Sequence, residues 1–200
     1  MPETGQYVAA IHAMTANDLP RKYPKPFGRY ANVIRGQGGA TWQEAILAEV
    51  NQWRTVVEPA GIFTGEEMNA VELAFHGNSR VLEAITGPYL AHGDLWYGNI
   101  LVDPQNRLTA IIDGDRAVFG DPEFELATGW MISDSFLEGY GKGLDPNPDA
   151  VLRRRLYKLL LSIEDCYILF CEYGNPEAGA ELKQWILKEA AKLNLENEGR

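Results

Sequence analysis

The sequence predicts a mostly helical α+β fold, and three observations carry that reading. Apolar residues recur every three or four positions across residues 41–57, 149–173 and 176–193, the period of an α-helix that buries one face. The β-branched apolar runs Ile100-Leu101-Val102 and Leu108-Thr109-Ala110-Ile111-Ile112 bracket a turn sequence, Asp103-Pro104-Gln105-Asn106, which reads as a short hairpin. Two hundred residues, 46% hydrophobic and 23% charged, suffice for one globular unit with a sizeable core, so residues 1–200 are expected to form a single domain.

Taken in chain order, residues 6–16 suggest the end of a helix. Leu19 to Pro26 is an extended connector, because each proline restricts the residue before it. A helix over Thr41–Val57 sets Trp42, Ile46, Val50 and Trp53 on one face. Further helices are expected from Gly65 to about Phe75 and from Val81 to Ile85, so the 93 residues ahead of Asp94 read as helix and loop. Beyond the hairpin, a helix is expected over residues 124–134 and a break at Gly141–Pro148. A long helix then spans 149–173 on Leu152, Leu156, Leu159, Ile163, Tyr167 and Phe170, and a last one spans 176–193 with Leu182, Trp185 and Ile186 facing the same core.

The chemistry is concentrated in His92-Gly93-Asp94-Leu95-Trp96-Tyr97-Gly98-Asn99 and in Asp113, nineteen positions after Asp94. Phosphoryl transfer asks for one carboxylate to orient an acceptor hydroxyl and for oxygen ligands that hold Mg2+ against nucleotide phosphates. A hairpin centred near Asn106 sets Asn99 opposite Asp113, an amide and a carboxylate oxygen suited to magnesium, and leaves Asp94 for the hydroxyl. Singly, each has a plain structural role: Asp94 capping a turn, Asn99 in a turn, Asp113 ending a hairpin. Their joint spacing points to a transfer centre.

The runs HGDLWYGNILVD and AIIDGDRAVFGDPEFELA resemble the catalytic half of the aminoglycoside phosphotransferase and fructosamine kinase families, which share the protein-kinase-like fold. The resemblance implies a kinase-like C-terminal lobe, with the catalytic loop and metal hairpin at 91–127 and closing helices at 149–193. By the same resemblance Asp94 matches the catalytic aspartate, Asn99 and Asp113 the magnesium ligands, which bind the ATP cofactor through the metal, and His92 a residue supporting the loop. Asp121 matches a structural aspartate that ties the following helix to the catalytic loop. The implied activity is ATP-dependent phosphorylation of a hydroxyl on a small molecule such as an amino sugar or fructosamine.

The chain departs from that pattern ahead of Asp94. Such kinases carry a glycine-rich hairpin over the phosphates and a strand lysine paired with a helix glutamate. Here Gly36-Gln37-Gly38-Gly39 has neither a strand before it nor an apolar-flanked lysine after it. The N-terminal nucleotide lobe is therefore expected to be absent from these residues and to lie on an upstream segment or a separate chain. The alternative is a noncatalytic remnant that binds metal or a small ligand. A metal-dependent phosphohydrolase is disfavoured, because no second carboxylate or histidine cluster accompanies Asp94 and Asp113.

Composition narrows the remaining classes. A net charge of -10 argues against a nucleic-acid partner and is compatible with a cationic small substrate. The absence of a long apolar stretch argues against a membrane span, and the polar start Met1-Pro2-Glu3-Thr4-Gly5 lacks secretory features, so a cytoplasmic protein is expected. Cys166 and Cys171 fall about 140° apart on one helix and should not bridge, while His12, His76 and His92 are too dispersed for zinc. Arg116 and Arg153-Arg154-Arg155 read either as phosphate contacts or, more plainly, as a helix-surface charge run. Asp115 reads as a second metal or acceptor contact or as a solvated loop residue, and Trp130, Glu138 and Tyr140 as candidates to line an acceptor pocket.

Overall fold

The computed structural model describes residues 2–129 and 131–199, in the order α1 (Pro2–Ile11), β1 (Gly28–Arg29), α2 (Tyr30–Ile34), α3 (Trp42–Val57), α4 (Gly65–Asn78), β2 (Tyr89–Ala91), β3 (Ile100–Val102), β4 (Leu108–Ile111), β5 (Val118–Gly120), α5 (Asp134–Tyr140), α6 (Pro148–Cys171) and α7 (Pro176–Glu198). Capping chemistry sets where the helices begin. Thr41 accepts from the Glu44 amide at the start of α3, and Thr64 and Glu67 cap each other's backbone at the start of α4. Asn147 and Asn175 cap α6 and α7, each followed by a proline at the first helical position, where a missing N–H costs nothing.

The periodic residues build the main core. Trp42, Ile46 and Val50 of α3 bury against Leu156, Leu159, Leu160 and Ile163 of α6, with Ile186, Ala190 and Leu193 of α7 behind them. Trp42, Phe124 and Tyr157 meet with ring centroids 5.4 to 5.9 Å apart, and Trp42 Nε1 donates to Tyr157 Oη at 2.8 Å. A second cluster, with Val8, Leu95, Ile100, Phe136 and Tyr140, lies under the hairpin and joins it to α1 and α5. Gly5 and Gly139 permit this docking: a Cβ at Gly139 would fall 1.7 Å from Pro2 O, so side chains there would force α1 and α5 apart.

The sheets correct two sequence expectations. Residues ahead of Asp94 contribute strands as well as helices, since β1 and β2 flank β5 in an antiparallel sheet with Gly28 and Leu90 both paired to Phe119. At two and three residues these strands are too short to display a period of two. The hairpin forms between β3 and β4, but Ile100 pairs with Ile111, and the Ile112 amide donates to Asn99 O at 3.0 Å. Asn99 therefore faces Ile112, and Asp113 lies one residue beyond. The turn explains the slip: it closes between Asp103 and Arg107, Asn106 takes φ 59°, and a bulge at Leu101/Val102 shifts the ladder.

Two expected helices are also corrected, the first over residues 124–134. Asp121 caps a single 3-10 turn over Pro122–Phe124, Gly129 takes φ 74°, and the helix begins only at Asp134, capped by Ser133. A left-handed glycine interrupts what apolar spacing suggested was continuous. Val81–Ile85 likewise gives only a 3-10 turn, Ser79–Leu82. Cys166 is buried, Cys171 is exposed, and both are free thiols. Among the described residues, no helix is long and apolar enough to cross a membrane.

Candidate active site

Strand β2 delivers the chain to His92, and the loop that follows is held from several sides. Gly93 sits at φ 80°, a conformation that favours glycine. The buried Glu125 carboxylate accepts from the His92 amide at 2.5 Å and from the Gly93 amide at 3.2 Å. The His92 ring is buried, with Nε2 at 2.8 Å from Ile112 O. A carbonyl oxygen only accepts, so the ring proton sits on Nε2, and the imidazole links the start of the loop to the strand end before Asp113.

Asp94 is consequently fixed in orientation while staying open to solvent, with 29% of its side chain exposed. Asn99 Nδ2 donates to Asp94 O at 2.8 Å and to Asp94 Oδ2 at 3.1 Å, and Arg116 Nη1 approaches Asp94 Oδ1 at 3.3 Å. With its nitrogen committed, buried Asn99 retains the amide oxygen as its remaining donor of electron pairs. Asp113 occupies the left-handed region at φ 65°, ψ 54°, which costs a non-glycine residue about 1 kcal/mol or more and which aspartate tolerates better than most. Its side chain is exposed and has no hydrogen bond or ion pair among the described residues. Asp115 is exposed in the 3-10 turn that follows.

The other sequence candidates separate clearly. Asp121 is 4% exposed and binds α6, accepting from Arg153 Nε and Tyr157 Oη, each at 2.9 Å. Contact with the His92–Asn99 loop comes instead from Glu125, four residues on, a residue not singled out from the sequence. The three consecutive arginines are not a solvated run: Arg153 pairs with Asp121, Arg154 with Glu123, and Arg155 with Glu189 and Glu196. On a helix, successive residues point about 100° apart, so three neighbours reach three different partners. Tyr140 lines no open pocket; it is buried, its hydroxyl 2.7 Å from His12 Nδ1, and burial raises its pKa. Glu138 is exposed, and Trp130 lies outside the described residues.

Arg116 belongs to the site, at the hub of a charge network that sequence separation concealed. Its Nε donates to Glu164 at 3.0 Å and its Nη2 to Asp165 at 3.3 Å, both on α6. Burial works to lower the Arg116 pKa, but Glu164, Asp165 and Asp94 together raise it above that of an ordinary arginine. Burial in turn pushes up the Glu164 and Asp165 carboxyls, against the pull of the arginines. Among the described residues, no three His, Cys, Asp or Glu side chains converge on a point. What the loop and hairpin can offer a cation is instead one amide oxygen and one carboxylate, both hard ligands of the kind magnesium takes when phosphates and waters fill its remaining positions.

Fold and loop together define a class, and comparison with known proteins agrees. Residues 2–156 match the model of the phosphotransferase enzyme family known as APH, and the chain belongs to that family. It is 28% identical over 180 residues to the hygromycin-B 4-O-kinase of Escherichia coli, covering 84% of this chain and 49% of that enzyme. To the ketosamine-3-kinase of Mus musculus it is 34% identical over 97 residues, covering 47% of this chain and 30% of that one. The chain thus spans about half or less of the length of these relatives.

Among solved structures, the fold matches a thermostable mutant of aminoglycoside phosphotransferase APH(4)-Ia, in ternary complex with AMP-PNP and hygromycin B. The TM-score is 0.63 at 22% identity, over 100% of this chain and 66% of the other. A putative fructosamine-3-kinase from Thermobifida fusca gives a TM-score of 0.60 at 18% identity, over 98% of this chain and 66% of that one. These likenesses establish an aminoglycoside-phosphotransferase-like fold for the residues described here.

Proposed function

We propose that this chain is the catalytic, acceptor-side lobe of a kinase that transfers the γ-phosphoryl group of ATP to a hydroxyl on a small molecule, with amino sugars and fructosamines as the acceptor classes to try first. The observation that carries this reading is the oriented, solvent-open Asp94 carboxylate, held by Asn99 and Arg116 beside the hairpin that ends in Asp113. Family membership supports it, as do the two kinases named above.

In this reading Asp94 accepts a hydrogen bond from the acceptor hydroxyl, aims its oxygen at the γ-phosphorus, and receives the proton as the new O–P bond forms and ADP leaves. The Asn99 amide oxygen and the Asp113 carboxylate would hold Mg2+, which when bound neutralises charge on the phosphates. His92 and Glu125 keep the loop backbone in place and touch no reacting atom. Asp115, exposed beyond Asp113, is assigned at most a secondary contact.

The nucleotide-covering lobe is assigned to chain outside these residues. Among the described residues no strand carries a lysine. Trp96, Tyr97, Leu101, Val102 and Ile112 leave exposed apolar surface around the loop and hairpin, of the kind a further lobe covers. The lack of a strand lysine among the described residues favours the second reading, a noncatalytic remnant that keeps the acceptor side only.

ATP turnover by these residues joined to the nucleotide-covering lobe assigned above, with a panel of amino sugars, fructosamines and other hydroxyl compounds, separates the two readings. Phosphorylated product supports the kinase, and ligand binding without product supports the remnant. Asp113→Ala is expected to weaken Mg2+ affinity by about tenfold or more, measured by titration calorimetry, because it removes the only charged ligand assigned to the metal. Unchanged affinity would remove Asp113 from that role.

A further inference from the structure

Arg116 is fixed at both ends before it reaches Asp94. Its backbone oxygen accepts from Arg29 Nη1 at 2.9 Å, and its Nε donates to Glu164 at 3.0 Å. Glu164 has no oxygen to spare: its Oε1 takes Arg116 and its Oε2 takes Arg29 Nη2 at 2.7 Å. Arg29 is itself clamped by Glu49 of α3 through Nε at 2.7 Å. The Glu164 and Arg116 side chains are 13% and 16% exposed, so these are desolvated, directional bonds. The terminal nitrogens of Arg116 are held more loosely, at 3.3 to 3.4 Å from Asp94 and Asp165. The side chain is anchored at its inner edge and presents its outer edge to the candidate base.

We infer that Glu164, in the C-terminal half of α6, is a positioning residue for Asp94: by gripping Arg116 Nε it fixes the guanidinium that holds Asp94 Oδ1, coupling helix packing to the aim of the carboxylate. The inference rests on the kinase reading for its kinetic consequence and on geometry alone for its structural one. Glutamine at 164 keeps one acceptor oxygen and turns an NH2 group toward the other arginine, so it cannot satisfy Arg29 and Arg116 together. One guanidinium must let go, and Arg116, with the longer bond, is the weaker partner.

The test compares the parent protein, carrying the nucleotide-covering lobe assigned above, with Glu164→Gln, Glu164→Asp and, as a packing control, Glu189→Gln. The control breaks an Arg155 pair at the α6–α7 contact, away from the site. In crystal structures of the parent and Glu164→Gln, Arg116 is expected to leave Asp94 Oδ1 in the variant, and an Arg116 that stays in place would overturn the inference. In turnover assays, Glu164→Gln should lower kcat by about tenfold with the KM for ATP little changed, Glu164→Asp should recover part of the loss, and Glu189→Gln should lower Tm without lowering kcat. Equal kcat in Glu164→Gln and an active parent would also overturn the positioning role. A parent without turnover would contradict the kinase reading instead, leaving the crystallographic comparison to decide on Glu164.

Discussion

Asp94→Asn is expected to reduce phosphoryl transfer by about 10²- to 10⁴-fold, the usual contribution of a positioned general base. The substitution preserves shape, and an asparagine can still accept from Asn99 Nδ2 or face Arg116, so Tm should move little. The loss should appear in kcat, because the carboxylate acts on a hydroxyl already bound, whereas a lost binding contact would appear in KM. One side effect is foreseeable: the neutral amide leaves Arg116 with Glu164 and Asp165 as its charged partners, and both are close enough to hold it. Transfer undiminished in a folded Asp94→Asn protein would remove Asp94 from the mechanism.

Gly93→Ala should be the most damaging single-methyl change near the site. At φ 80° a side chain is strained whatever space it finds, and here the added Cβ would lie 2.2 Å from Arg116 O, a backbone atom that Arg29 also grips. A backbone oxygen held in this way cannot swing aside like the end of a flexible side chain. The loop would have to lift, stretching the Gly93 and His92 amides off Glu125 and turning Asp94 out of register. The expected cost is about 3 kcal/mol, or a fall in Tm of about 10 °C, accompanied by loss of any transfer activity. A variant with wild-type Tm and intact activity would show that the Gly93 conformation is not required. Gly114→Ala is the natural comparison, since nothing lies within 4 Å of a Cβ there.

Much of this molecule was legible in the sequence wherever the signal was local. The helices α3, α6 and α7 announced themselves through apolar spacing, and the 91–127 run carried the loop, the hairpin and the family resemblance. Where competing local signals mattered, the reading slipped: a turn closed by Asp103 and Arg107 displaced the hairpin by one residue, and Gly129 broke the run expected to be helical. Strands of two and three residues have too few positions to show a pattern. The charge network was illegible for a different reason. Arg29, Glu49, Arg116 and Glu164 are joined only by the tertiary fold, and a lone charged residue on a helix looks the same whether it meets water or a buried guanidinium. Glu125 is the one omission with a usable signal, since it sits inside the GDPEFELA run, where an acid beside buried Phe124 and Leu126 invites the question of what it accepts from.

The claim on which the account turns is that Asn99 and Asp113, carried by one hairpin, form a cation seat next to Asp94. Paramagnetic line broadening tests it directly, with Mn2+ replacing Mg2+ and spectra of the isotope-labelled chain recorded at substoichiometric metal. The account predicts that broadening centres on residues 94–99 and 113–115 and is lost from them in Asp113→Ala. Broadening centred on another acidic surface, or spread evenly over the 28 acidic residues, would contradict it.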